Sequence, residues 1–462
     1  MANLFASLEI ARNTLLTGQV MLNIASHNIA NADNKDYARQ RANLEAGSAQ
    51  RTRFGWVGMG VRVGQITQSR DQYLEQKLLG SIAQEADYRA LYGGLELVGS
   101  HLSDDGDRGI SKDLSAFWDA WDRLSQNPDG AAEKEAVHAA AANLSDTIHR
   151  LDNALKDLKA DFEDEIMTAA ETANEYLERI ARYNQEIAAA EAAGVPANDL
   201  RDQRYAALRE LEKWVGVQYR EEADGSVTVE ISDGVPPTPV TLVSQERANQ
   251  LRFNEEAQLV EYLDASNQTL PGTPVAGTPP NALTGGRLSG LLSALRQVDG
   301  SEASGSELKD YQRRLDAFAS NLVDAVNSAY DPTSGDSVFR GNSAQTFGLD
   351  AAFVPAHISG DRAAEVAQLQ EGSVSGLKDR SFADFLAATQ EQLGSEQRNA
   401  LSRADFHQAL VGDLEARQQA VSGVSIDEEM IDILKYQQLY QAAAKVVERT
   451  SELLRTIIDM VR

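Results

Sequence analysis

The chain has 462 residues, with 43 Lys or Arg against 70 Asp or Glu and a formal net charge of −27. That balance argues against nucleic acid or an anionic membrane as partner of the whole chain, and the lack of cysteine excludes disulfides, thiol catalysis and thiolate metal sites. A hydrophobic fraction of 42% and a charged fraction of 24% fit a soluble globular protein. No run approaches the roughly 18 apolar residues of a membrane span, and the N-terminus lacks a basic-then-apolar secretory pattern. The acidity is uneven, because residues 1–70 hold eight Lys or Arg against four Asp or Glu.

The first element is a helix. Small and apolar residues fall at Leu4, Leu8, Ala11, Leu15, Gly18, Leu22, Ala25 and Ile29, alternating steps of four and three as in an a/d seam. The crowd of Asn28, Asn31, Asp33 and Asn34 ends it, since these side chains bond their own backbone and accept turns. Residues 43–66, with five glycines, read as extended chain with short strands. Helical patterning resumes near Asp71 and runs to about Ala193, broken at Ser103–Gly109 and Asn127–Gly130. Its clearest seam is Ile166, Ala170, Ala173, Leu177, Ile180, Asn184, Ile187. Gly194 and Pro196 stop it, and Ala197–Leu200 offers a cap for a further helix through Glu212.

The character then changes. Val215–Ser232 reads as a hairpin with Asp224 and Gly225 at the turn, and further strands follow around Pro236, Pro237 and Pro239. Leu270–Gly286 reads as linker or surface loop. Helix returns over 287–329, 330–380 is mixed and loop-rich, and 381–419 is helical again. The last helix opens on a capping box, Ser425 with Glu428 three residues on. Its seam runs Met430, Ile433, Gln437, Tyr440, Ala444, Val447, Ser451, Leu454, Ile458, Val461.

The expected fold is mainly α with an inserted β domain: paired N- and C-terminal coiled-coil helices, an elongated helical-bundle body and a small outer β domain. The divisions are 1–66 (core helix and extended segment), 67–214 (first part of the body), 215–283 (β-rich outer domain), 284–419 (second part, with loop-rich 336–380) and 420–462 (C-terminal core helix).

No catalytic, cofactor or metal site emerges. The six histidines, at 27, 101, 138, 149, 357 and 407, show no metal-binding spacing, and no nucleophile elbow or phosphate loop exists. Gly58, Gly60 and Gly64 lack dinucleotide spacing, and the acidic run beginning at Asp104 lacks the Glu that closes a calcium loop. The terminal seams are therefore the main clue. Ala11, Gly18, Ala25, Gln437, Ala444 and Ser451 give little of the roughly 1.5–3 kcal/mol of a buried large aliphatic side chain. A pair unsupported on its other faces is expected to order only on assembly.

Asn28–Asn31 ("NIAN") followed by Tyr37 resembles the N-terminal signature of bacterial flagellar rod, hook and hook-associated proteins. Tyr37–Arg41 ("YARQR"), Gln185–Val217, Gly285–Arg296 and Ser422–Val447 are similar to segments of the hook-associated protein 1 family in particular. Lys35 and Asp36 depart from it, standing where the family commonly has Pro-Gly. Residues 220–283 and 336–380 match weakly or not at all.

The resemblance implies a structural protein, not an enzyme, with no cofactor. It forms the junction layer between hook and filament by helical self-assembly, outside the cell. The implied partners are further copies of itself, the hook protein, the next hook-associated junction protein, an export chaperone on the C-terminal helix and the flagellar type III export apparatus. Asn28, Asn31 and Tyr37 would shape the exit from the first helix. Arg39 and Arg41 would meet acidic neighbours or stay solvated. Gln437, Gln438, Tyr440 and Gln441 would bond between copies. The alternatives are a hook or rod protein of the same superfamily, or an exported hydrolase or adhesin carried on axial-type ends.

Overall fold

A computed structural model describes residues 2–52, 55–102, 109–192, 194–233, 238–271, 273, 283–298, 310–331 and 337–461. Residues 103–108, Pro236, Pro237 and most of the 270–286 linker lie outside these. Helix α1 spans Ala2–Ala30. Four short strands follow: β1 (Gln40–Ala46), β2 (Gln50–Thr52), β3 (Gly55–Val57) and β4 (Val61–Gln68). β1 pairs antiparallel with β4 and β2 with β3, making one ribbon that runs out and back.

The body begins with α2 (Gln72–Leu102), α3 (Ile110–Gln126) and α4 (Ala131–Ala192). At 62 residues α4 is roughly 90 Å long. Its seam positions Ile166, Ala170, Ala173, Leu177, Ile180, Asn184 and Ile187 are all buried. Helix α5 (Asn198–Trp214) starts from Ala197 with no side-chain cap, because the Asn198 amide is spent on the Ile66 carbonyl at 3.3 Å.

The β region lies against α4. Strands β5 (Gln218–Glu221), β6 (Val227–Asp233), β7 (Thr238–Ser244) and β8 (Arg247–Ala248) form one antiparallel sheet in sequence order, and β9 (Gln250–Asn254) pairs with β10 (Leu259–Leu263). Gly225 takes a left-handed φ of 81° between β5 and β6, in the place expected for the turn. Two asparagines of α4 tie the strands down. Asn184 donates to the Val227 and Gln245 carbonyls at 2.8 and 2.9 Å and accepts from the Val227 N–H at 2.9 Å. Asn174 exchanges two 2.8 Å bonds with the Leu251 backbone. The polar residue in an otherwise apolar seam is thus a sheet anchor.

The chain returns through α6 (Arg287–Val298) and α7 (Tyr311–Tyr330), then the short strands β11 (Phe339–Arg340) and β12 (Gly348–Leu349) and helix α8 (Ala363–Gln368). It ends in α9 (Phe382–Ser422) and α10 (Ile426–Val461). α6 and α9 both pack on α2. The loop-rich segment is not surface chain alone. Phe339, Phe347 and Phe353 are buried, with Phe339 on Phe117 of α3 at 5.4 Å and Phe353 on Tyr330 of α7 at 5.7 Å between ring centroids. Irregular backbone carries no periodic signal, so this core contribution is invisible to spacing.

Glu212 at the end of α5 is only 1% exposed and accepts from the Val217 N–H at 3.2 Å. Burial pushes its carboxyl up to about 8, with that one N–H opposing. The folded chain therefore holds a proton that the unfolded chain releases near 4.5. Between those two values stability falls as pH rises, by about 1.4 kcal/mol per unit for this group. Glu212→Gln is expected to flatten that fall. Urea unfolding at pH 5 and pH 8 checks it: equal pH slopes in the two proteins would refute the assignment.

Candidate assembly interface

The two terminal helices pack side by side, and α1 is the principal contact of α10. On α1 the predicted seam faces inward: Ala11, Gly18 and Ala25 are buried, and Leu4, Leu8, Leu15, Leu22 and Ile29 are half-buried. α1 also has a support that the seam argument leaves out. The Asn13 amide donates to the Met59 carbonyl at 3.1 Å and the Thr17 hydroxyl to the Val61 carbonyl at 3.3 Å, laying the β ribbon along a second face. With that support both helices stand formed and paired in the single chain, where spacing alone suggests order only on assembly.

On α10 the face turned to α1 is Glu429, Ile433, Tyr436, Ala443, Val447, Thr450, Leu454 and Ile457, all buried or half-buried. Ile433, Val447 and Leu454 belong to the predicted seam. Its other positions lie on the flank: Met430, Gln437, Ala444, Ser451 and Ile458 are exposed, as are Gln438 and Gln441. Tyr440 sits at the edge, its Cβ 3.8 Å from where a Cβ on Gly18 would stand. The Val461 side chain lies outside the described residues. The sequence doubles its apolar residues at 430–431, 433–434, 446–447, 453–454 and 457–458, so two phases satisfy the period. A charge selects between them.

That charge is Arg39. Its Nε donates to Glu429 at 2.6 Å and its Nη1 to Glu428 at 2.9 Å, and the Glu429 side chain is only 4% exposed. Burial opposes the guanidinium charge, but Glu429 and Glu428 outweigh it and raise the pKa. The Arg39 N–H also donates to the Ser422 carbonyl at 2.8 Å. The capping box is consequently half made. Ser425 Oγ accepts from the Glu428 N–H at 3.4 Å, while the Glu428 carboxylate turns to Arg39. Arg41, by contrast, is exposed.

Between α1 and the ribbon lies a tight corner. Asn28 is buried, its Oδ1 accepting from the Tyr37 hydroxyl at 2.7 Å and the Gln40 N–H at 3.0 Å, while its Nδ2 donates to the Gln40 carbonyl at 3.0 Å. Asn31 bonds back to the His27 carbonyl at 3.0 Å, closing the last turn of α1. Burial pushes the Tyr37 phenol up, so it stays a donor. None of residues 31–36 takes a positive φ, so Lys35 and Asp36 stand where a glycine is unnecessary. Asp36 instead accepts from Arg209 of α5 at 3.2 Å, and Arg209 also pairs with Glu415 of α9.

Spacing does not reveal Glu429, Asp36, Arg209 or Asp202. Asp202 accepts from the Ala38 N–H at 3.3 Å, from Gln68 at 2.8 Å and from Arg70; burial raises its carboxyl to about 6, with Arg70 opposing. Each of these partners lies far along the chain. The one local hint is two arginines next to an aromatic in a turn.

Gly18→Ala is expected to leave the α1–α10 pair intact and to stabilise it by up to roughly 1 kcal/mol, since the added Cβ meets only ordinary 3.8 Å contacts and alanine is the better helix former. Helicity and thermal unfolding of the full chain check this; a large loss would mean a closer approach.

Comparison with known proteins bears on this geometry. Residues 95–335 match the family model described as "Flagellar hook-associated protein FlgK helical domain", and residues 417–460 that described as "Flagellar basal body rod FlgEFG protein C-terminal". The chain is similar to "Flagellar hook-associated protein 1" of Bacillus subtilis, 24% identical over 99% of each chain. It is also similar to the protein of that name in Salmonella typhimurium, 23% identical over 97% of this chain and 99% of the other. Its fold resembles the solved structure of the flagellar hook junction protein FlgK from Burkholderia pseudomallei. That match has a TM-score of 0.60 and 13% identity, covering 75% of this chain and all of that one. With the model spanning more than half of the residues, the chain belongs to the flagellar hook-associated protein FlgK family.

Proposed function

We propose that the chain forms the junction layer between flagellar hook and filament by helical self-assembly through its terminal helices. One observation carries this reading. α10 covers a single face against α1 and leaves Met430 at 54%, Ile431 at 61%, Leu434 at 59% and Ile458 at 63% exposed. Phe5 and Leu16 are likewise exposed on α1. So much apolar surface on a helix pair needs a partner. Neighbouring copies supply it in a lattice, with Gln437, Gln438 and Gln441 bonding beside it.

The hook protein and the next hook-associated junction protein flank the layer. Before assembly an export chaperone covers the bare α10 face, and the chain leaves by the flagellar type III apparatus without a cleaved signal. The role is structural and requires no turnover. Deleting the gene tests it: hooks remain, filaments are absent and filament subunits appear in the medium. Missing hooks would identify a hook or rod protein instead, and normal filaments would sink the reading.

A further inference from the structure

The ribbon carries a surface that the helix pair does not use. Trp56 is 71% exposed, and Leu44, Val57 and Val61 are exposed beside it. Arg51 stands across the strands from Trp56, and Arg41, Arg51 and Arg62 are all exposed. β2 and β3 pack principally on each other. An uncovered strand pair with a large aromatic is an aggregation hazard unless something seats on it.

We infer that this ribbon docks on α4 of a neighbouring copy of the same chain. The inference rests on the assembly reading and adds the surface and its partner. Charge points to the occupant. Residues 1–70 carry an excess of Lys and Arg, whereas the remaining residues hold 35 Lys or Arg against 66 Asp or Glu. Much of that excess is displayed on α4, where Asp157, Asp161, Asp164, Glu171, Glu175 and Glu178 are exposed at steps of three and four, on one face. Among the described residues no ion pair engages any of the six. Arg179 and Arg182, the nearest bases, lie over the rings of Tyr176 and Tyr183 at 5.0 and 5.9 Å.

The dimensions agree. The acidic face is roughly 30 Å long at 1.5 Å per residue, and an eight-residue strand such as β4 is about 26 Å. The ribbon does not serve its own α4 in this way. Its base is tied to Asn198 and Asp199, beyond the end of that helix, through Gln68 at 3.1 Å and Gln40 at 2.9 Å. Two different patches meeting in this way make a heterologous contact, which propagates from copy to copy instead of closing a dimer.

The absence of cysteine makes the test clean. A chain carrying Trp56→Cys and Glu171→Cys replaces the wild type in cells, and isolated flagella are treated with a two-armed maleimide. A ladder of covalent multimers is expected from the double variant and none from either single variant. Assembled junctions with filaments but no ladder would overturn the inference and leave the assembly reading standing. A chain missing from isolated flagella would overturn both. Should Trp56→Cys itself fail to assemble, Arg51→Cys across the ribbon reads the same contact, and its failure to cross-link in assembled flagella is equally decisive.

Discussion

Leu454→Asp is expected to abolish incorporation of the chain into flagella while the body from α2 to α9 melts as before. Leu454 is half-buried on the face that α10 turns to α1. Placing a carboxylate there asks the pair either to desolvate a charge or to open. Desolvation without a partner costs several kcal/mol, more than a lone two-helix contact holds in reserve. α10 has no other principal contact, so the pair opens. The body loses nothing, because its core is built from α2 to α9 with the β region. Electron microscopy of hook–filament junctions together with calorimetry of the purified chain checks both halves. Normal junctions in the variant would count against the terminal pair as the assembly element.

Gly290→Ala is expected to destabilise the body by about 1–3 kcal/mol, and Gly290→Val by more. A Cβ at this position of α6 would stand 2.2 Å from the Asp87 carbonyl oxygen and 2.9 Å from the Leu91 nitrogen, both backbone atoms of α2 that no rotamer change can move aside. The crossing is tight from the other side as well, since a Cβ on Gly94 of α2 would fall 2.5 Å from the Ala294 Cβ. Gly80 and Gly93 lie on the same helix with open space around them. Alanine there is expected to stabilise by roughly 0.5–1 kcal/mol. Opposite signs within one helix exclude a general effect of composition. Equal melting temperatures for Gly290→Ala and Gly93→Ala would refute the close crossing.

What spacing could show was the set of elements with local signals. The seam of α1, the apolar line from Ile166 to Ile187 and the Asp224–Gly225 turn each depend on neighbours within a few residues, and the structure places them accordingly. The return segment from Gly285 shows the limit. Its glycines stand out in the sequence, but the reason for Gly290 is a carbonyl about two hundred residues earlier. The same holds at the interface. Period alone leaves two phases for α10, and the one observed depends on Glu429 meeting Arg39, 390 residues away. The β ribbon's support of α1 and the buried phenylalanines of the 337–353 stretch were illegible for the same reason: neither has a period.

The Arg39 clamp also bears on the order in which the molecule is completed. It joins residues separated by 389 and 390 positions, among the longest loops the chain closes. Loop closure is slow where sequence separation is large, and domains made of nearer contacts fold first. The body therefore matures before the clamp, and the clamp reports that the entire polypeptide is present. A chain interrupted anywhere before Glu428 retains a packed middle but has nothing for Arg39 to hold, so its N-terminal helix stays unpaired. Completeness of the subunit is in this sense read by a single arginine, before any neighbour is met.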